Sequence, residues 1–146
     1  MTVDVRTEMV IDRPREQVAA FAGDPGRAPE WYINIREVRW QTEPPLRVGS
    51  RMEFVAHFLG RRLVYTYEVL EYQPGERLVM HTAQGPFPME TTYTWTDADG
   101  GHTLMTLRNR GNPSGFAKIS APVMEAAMRR ANRKDLALLK ALLEAQ

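Results

Sequence analysis

The chain has 146 residues, 43% apolar and 25% charged, with a formal net charge of +1. That balance fits one globular domain, residues 1–146, long enough to bury a real core. Near-neutral charge argues against a nucleic-acid surface. The absence of cysteine excludes disulfides, thiolate chemistry and Cys-ligated zinc, and no apolar run approaches the roughly 18 residues of a membrane span.

The opening segment, MTVDVRTEMV, lacks the basic and apolar regions of a signal peptide, so a soluble cytoplasmic protein is expected. Val3, Val5, Thr7, Met9 and Ile11 alternate with Asp4, Arg6 and Glu8, the pattern of a half-buried strand. A short helix follows, with Asp12 as N-cap, Pro14 in the first turn and Val18, Phe21 and Ala22 on one face. Gly23 and Pro25 end it, and a second short helix is expected over about Ala28 to Tyr32.

Six further strands fill the middle of the chain. Their inward faces read Val38 and Trp40; Met52, Phe54, Ala56 and Phe58; Leu63, Tyr65, Tyr67 and Val69; Leu78, Met80 and Thr82; Met89, Thr91, Tyr93 and Trp95; and Thr103, Met105, Leu107 and Asn109. Short turns at Gly60, Pro74-Gly75, Gly85-Pro86 and Gly100-Gly101 make this an antiparallel meander. Residues opposed across a hairpin share a face. The expected register pairs Phe54 with Tyr67, Met80 with Thr91 and Tyr93 with Met105. The last segment is helical, with an apolar stripe of Val123, Ala127, Ala131, Leu138 and Leu142 and a solvated face of Arg129, Arg130, Arg133 and Lys134. Pro122 either sits in a first turn or, the reading favoured here, kinks a helix that begins near Gly115.

The order is one strand, two short helices, six strands and one long helix. It implies an α+β fold: a curved seven-stranded antiparallel sheet gripping the C-terminal helix. The stretches IDRPREQVAAFAGDPGRAPEWY, REVRW, VGSRMEF, YEVLEYQPGERLVMHT, TYTWTDADGGHTLMTL and RKDLALLKALLE carry a family likeness across almost the whole chain. The sequence resembles the helix-grip superfamily of START and birch-pollen-allergen-like proteins (SRPBCC). Within it, the sequence is similar to bacterial polyketide cyclase/dehydrase and lipid-transport-like proteins. The resemblance implies that the two short helices cradle the long one and wall a cavity, with Trp31 and Tyr32 beside it. The alternative for Trp31 is a plug in the core, and a buried indole N–H needs a partner in either place.

The expected site is the inward face itself. All five strand methionines, Met9, Met52, Met80, Met89 and Met105, fall on it, with Met124 and Met128 on the helix. Methionine adapts its shape, which suits either a promiscuous pocket or ordinary core filling. The cavity lining is assigned to Trp31, Trp40, Met52, Phe54, Ala56, Phe58, Tyr65, Tyr67, Met80, Thr82, Met89, Thr91, Tyr93, Met105, Asn109, Met124 and Met128. An apolar pocket with a few polar groups is the usual form of a small-molecule site. Inward carboxylates are scarce, since Glu71 falls at a strand end. His57 and His81 point outward by parity, and His102 adjoins a turn. No metal site, cofactor motif or nucleophile–base pair is evident, so neither metal nor cofactor is expected.

Three functions compete. The first is binding of a small hydrophobic or amphipathic molecule such as a lipid, polyketide or isoprenoid. The second is a cyclase/dehydrase-type enzyme that polarises a carbonyl with Tyr65, Tyr67 or Tyr93. The third is a protein-interaction module with a filled core and an exposed apolar patch. The outward apolar residues Val55, Val64, Leu70 and Val79 suggest a homodimer surface.

Overall fold

The computed structural model describes residues 2–116 and 118–146. Seven strands form one antiparallel sheet: β1 (Val3–Ile11), β2 (Ile35–Trp40), β3 (Arg51–Phe58), β4 (Arg61–Gln73), β5 (Arg77–Gln84), β6 (Met89–Ala98) and β7 (His102–Gly111). Their order across the sheet is β1-β7-β6-β5-β4-β3-β2. Two short helices, α1 (Arg15–Ala22) and α2 (Ala28–Trp31), separate β1 from β2, and the long helix α3 (Ala121–Glu144) closes the chain. This is the expected α+β helix-grip arrangement. Among the described residues, no helix is long and apolar enough to cross a membrane.

The sheet curls because its strands carry irregularities. Register shifts interrupt the β2–β3 pairing between Ile35 and Glu37, and the β4–β5 pairing at Thr66/Tyr67 and Val69/Glu71. Each adds local twist and bends the bulged strand. The Leu59-Gly60 turn joins β3 to β4 with both residues at positive φ, which matches the twist of the flanking strands.

The C-terminal half of α3 lies in the concave face. Leu136, Leu139 and Leu143 are fully buried against Trp31, Leu78, Trp95 and Met105 in one core. The free edge of β1 is covered by the same helix. Glu125 accepts from the Asp4 N–H at 2.9 Å, and Lys140 Nζ donates to the Val10 carbonyl at 2.9 Å. A helix laid along an edge hinders strand addition there. Arg13, just past β1, donates to the Glu144 carbonyl, bringing positive charge to the negative end of α3.

Every inward face is as read, but some pairings are not. Phe54 opposes Tyr65 rather than Tyr67, and Tyr93 opposes Leu107 rather than Met105; Met80 does oppose Thr91. Both slips are by two residues, which keeps every side chain on its own face. Helix α1 begins at Arg15 with Pro14 at its N-cap, and Asp12 instead donates its N–H to Glu144. Pro122 sits in the first turn of α3, where its missing N–H costs nothing, rather than at a kink. Of the helix expected from Gly115, residue Ala117 lies outside the described residues, and Ser114–Phe116 form a separate 3₁₀ turn. The buried stripe of α3 is also displaced. Met124, Asn132, Asp135, Leu136, Leu139 and Leu143 are buried, whereas Val123 is 60% exposed.

Gly111 pairs with Val3 on one side and Met89 on the other. A Cβ there would meet the Pro88 carbonyl oxygen, Met89 Sδ at 2.7 Å and Met89 Cα at 2.8 Å. Backbone atoms cannot yield as a flexible side chain would. Gly111→Ala is expected to destabilise the fold by about 1–3 kcal/mol in chemical denaturation, with the slope unchanged.

Candidate functional site

The first half of α3 has a different composition from the second. Where the C-terminal turns bury leucine, the N-terminal turns present Met124, Met128, Ala131, Asn132 and Asp135 to the sheet. Ala131 is too small and Asn132 and Asp135 are too polar to fill the space as leucine does. Ala56 on β3 adds a second small side chain. The result is a cavity of about 160 Å³. Its walls come from β3 to β7, α3, Ile35 at the start of β2, and the segment after α2 that carries Tyr32 and Asn34.

The structure brings most of the assigned lining together around this space. The exceptions are Trp31, Trp40, Met52 and Met105. Trp31, Met52 and Met105 are fully buried in the filled end of the core, and Trp40 packs half-buried at its margin. Trp31 therefore takes the plug position, and it is Tyr32, with its ring 4.1 Å from the indole, that reaches the cavity. The indole nitrogens of Trp31 and Trp95 are buried without hydrogen-bond partners among the described residues. Leu63, Phe87 and Phe116 also wall the cavity, and the exposed His57 borders its mouth.

The polar groups inside fall into two sets. Tyr67 shares a hydrogen bond with Thr91 Oγ1 at 2.8 Å, Asn109 Nδ2 donates to the same Oγ1 at 2.8 Å, and Asn132 Nδ2 donates to Asn109 Oδ1 at 2.7 Å. This chain ties β4, β6 and β7 to α3 and orients each member. In the second set, the hydroxyls of Tyr32 and Tyr93 lie 2.6 Å apart, with Asp135 close enough to raise the pKa of both. Tyr65 stands apart from both sets. It stacks on Phe54 with centroids 5.5 Å apart, and its hydroxyl has no hydrogen-bond partner among the described residues. Thr82 spends its hydroxyl on the backbone of Met89.

Burial pushes the Tyr67 phenol up to about 12, and those of Tyr32, Tyr65 and Tyr93 upward as well. All four stay protonated near neutrality and remain available as hydrogen-bond donors. Asp135 escapes the reading of the sequence because a charged residue in an amphipathic helix normally faces water. Its spacing of four from Ala131 and eleven from Met124 carries the missed signal. It is 2% exposed, and Oδ1 accepts from the Ile33 N–H at 3.0 Å. Among the described residues, its other oxygen has no hydrogen-bond partner.

Burial raises the Asp135 pKa to about 6, with the Ile33 N–H pulling the other way. The folded value lies above the ordinary carboxylate value of 3.8, so the folded state holds this proton more tightly. The cost of the buried charge is therefore absent below about pH 4, grows as pH rises to about 6, and is constant beyond. Asp135→Asn keeps an acceptor for Ile33 and removes the charge. It is expected to stabilise the protein at neutral pH by about 1–3 kcal/mol, and the gain should vanish by about pH 4 in thermal or urea unfolding.

Known structures share this fold. A START superfamily protein from Mycobacterium smegmatis superposes with a TM-score of 0.82 at 13% identity, with 97% of each chain covered. The ZhuI aromatase/cyclase from Streptomyces sp. R1128 gives 0.80 at 14% identity, covering 99% of this chain and 94% of its own. A major latex-like protein from Panax ginseng gives 0.75 at 14% identity over 96% of each chain. At these identities the likeness establishes the fold. Comparison with curated proteins finds no relative by sequence. The family model described as "Polyketide cyclase / dehydrase and lipid transport" matches residues 2–144, nearly the whole chain, and the protein belongs to that family.

Proposed function

We propose that the protein binds a compact hydrophobic or amphipathic molecule, of lipid, polyketide or isoprenoid type, between the sheet and α3. The observation that carries this reading is the space left in an otherwise close-packed interior. It opens where α3 changes from leucine to methionine, alanine and polar residues. Protein interiors ordinarily fill such gaps, because an empty apolar cavity forfeits dispersion contacts along its walls. A ligand restores those contacts. The lining has the composition of a small-molecule site: Phe54, Phe58, Met80 and Met128 for shape, and the Tyr65 hydroxyl for orientation. The remaining space argues against an interaction module with a filled core.

A cyclase/dehydrase-type activity is the second reading, favoured by the Tyr32–Tyr93 hydroxyl pair in the cavity wall. Protonated and held within 2.6 Å of each other, these phenols are placed to polarise a carbonyl, and the cavity supplies proximity. Under this reading, Tyr93→Phe removes turnover and leaves binding largely intact.

The test is native mass spectrometry of gently purified protein beside its denatured mass. A discrete extra mass that extracts into organic solvent is expected. Ala56, buried in the cavity wall opposite Leu63, supplies the control. Ala56→Trp is expected to remove the adduct while the protein stays folded, at an over-packing cost no greater than about 1–3 kcal/mol. Gross unfolding of that variant, together with an adduct-free wild type, would show that the space is not a ligand site.

A further inference from the structure

The charged and polar inventory of the cavity is lopsided. Among the described residues that line it, Asp135 is the only carboxylate and there is no lysine or arginine. The groups facing Asp135 from the packed elements are Tyr32, beyond α2, and Tyr93 on β6. His57 on β3 borders the mouth, and Arg130 and Lys134 of α3 lie on the outer side, along a surface groove that shares Asp135 as its wall. Oδ1 of Asp135 is held by the Ile33 N–H, and the second oxygen is left with acceptor capacity and no partner among the described residues.

A carboxylate that is 2% exposed and half-satisfied is a costly group to keep on a buried helix face. The next positions of the same face, Leu136, Leu139 and Leu143, show what simple packing selects. We infer that Asp135 makes the cavity selective for an apolar ligand that presents an O–H or N–H donor at the α3 wall, and selective against ligands that present a carboxylate there. A neutral hydroxyl or phenol supplies the missing donor without bringing a second charge into the site. A carboxylate would face Asp135 across a medium of low dielectric with no cation between them, whereas an ether or a bare hydrocarbon leaves the acceptor unpaired. The inference rests on the binding reading above and narrows its ligand class from any hydrophobic molecule to hydroxyl- or amine-bearing ones.

The experiment uses the whole chain and three probes with one ring system: 2-naphthol, 2-methoxynaphthalene and 2-naphthoate. Binding is followed by calorimetry at about pH 8, where Asp135 is ionised. The expected order is 2-naphthol first, 2-methoxynaphthalene about tenfold weaker, and 2-naphthoate weakest. In Asp135→Asn the spread between the three is expected to shrink to within about threefold, because the open oxygen is replaced by a donor. The wild type provides a second measure that needs no variant. Lowering the pH to about 5 protonates Asp135 and should erode the preference for 2-naphthol in the same way. Equal affinity for 2-naphthol and 2-methoxynaphthalene, or tight binding of 2-naphthoate at about pH 8, overturns the role of Asp135 while leaving the cavity a binding site. Failure of all three probes to bind, with Ala56→Trp indistinguishable from the wild type, removes the binding reading and this inference with it.

Discussion

One contact organises the molecule: the buried stripe of α3 against the concave face of the sheet. Neither surface is stable alone. The sheet has one apolar face to hide, and the helix has one stripe with which to cover it. The leucines of the last three turns of α3 fill the curve of the sheet completely. The same helix then passes over the other end of the sheet, and there it presents methionine, alanine and polar side chains in place of leucine. A cavity follows from composition along one continuous helix. No lid or separate subdomain is needed to make it.

The helix is also anchored at its margins. Glu125, Lys140 and Glu144 bond to the backbone of β1 and the residue that follows it, while Arg13 reaches back to the end of α3. These contacts are exposed or half-exposed, and each contributes little to stability. Their effect is positional: they set where the buried stripe sits over the sheet. A shift of one residue along the helix would rotate Asp135 away from the cavity.

The interior of the site trades stability for chemistry. Among the described residues, four tyrosines, three asparagines, two threonines and one aspartate line a space that leucine and phenylalanine would fill more cheaply. Two hydrogen-bonded sets satisfy most of these groups. Among the described residues, the Tyr65 hydroxyl and one Asp135 oxygen have no hydrogen-bond partner at the cavity. Sites of binding and catalysis commonly keep polar groups that the fold does not need.

The architecture was legible in the sequence because strands write their faces in a period of two, and the turns are marked by glycine and proline. That is why the inward faces of all seven strands could be read from the chain, and why the element order led to the fold. Register was not legible: a slip of two residues preserves the pattern, so the partners of Phe54 and Tyr93 depended on the turn geometry of their own hairpins. The stripe of α3 was misplaced because alanines flank it on both sides and leave its centre ambiguous. Much of the lining was legible from parity, but parity cannot separate a filled end from an empty one. Met52 and Met105 share a face with Met80, yet only Met80 meets the cavity. The sequence by itself determined which side of each strand is buried, because that depends on neighbours two residues apart. Only the tertiary structure decided where space remains and that Asp135 borders it, because both depend on how far a distant helix stands from the sheet and on its rotation there.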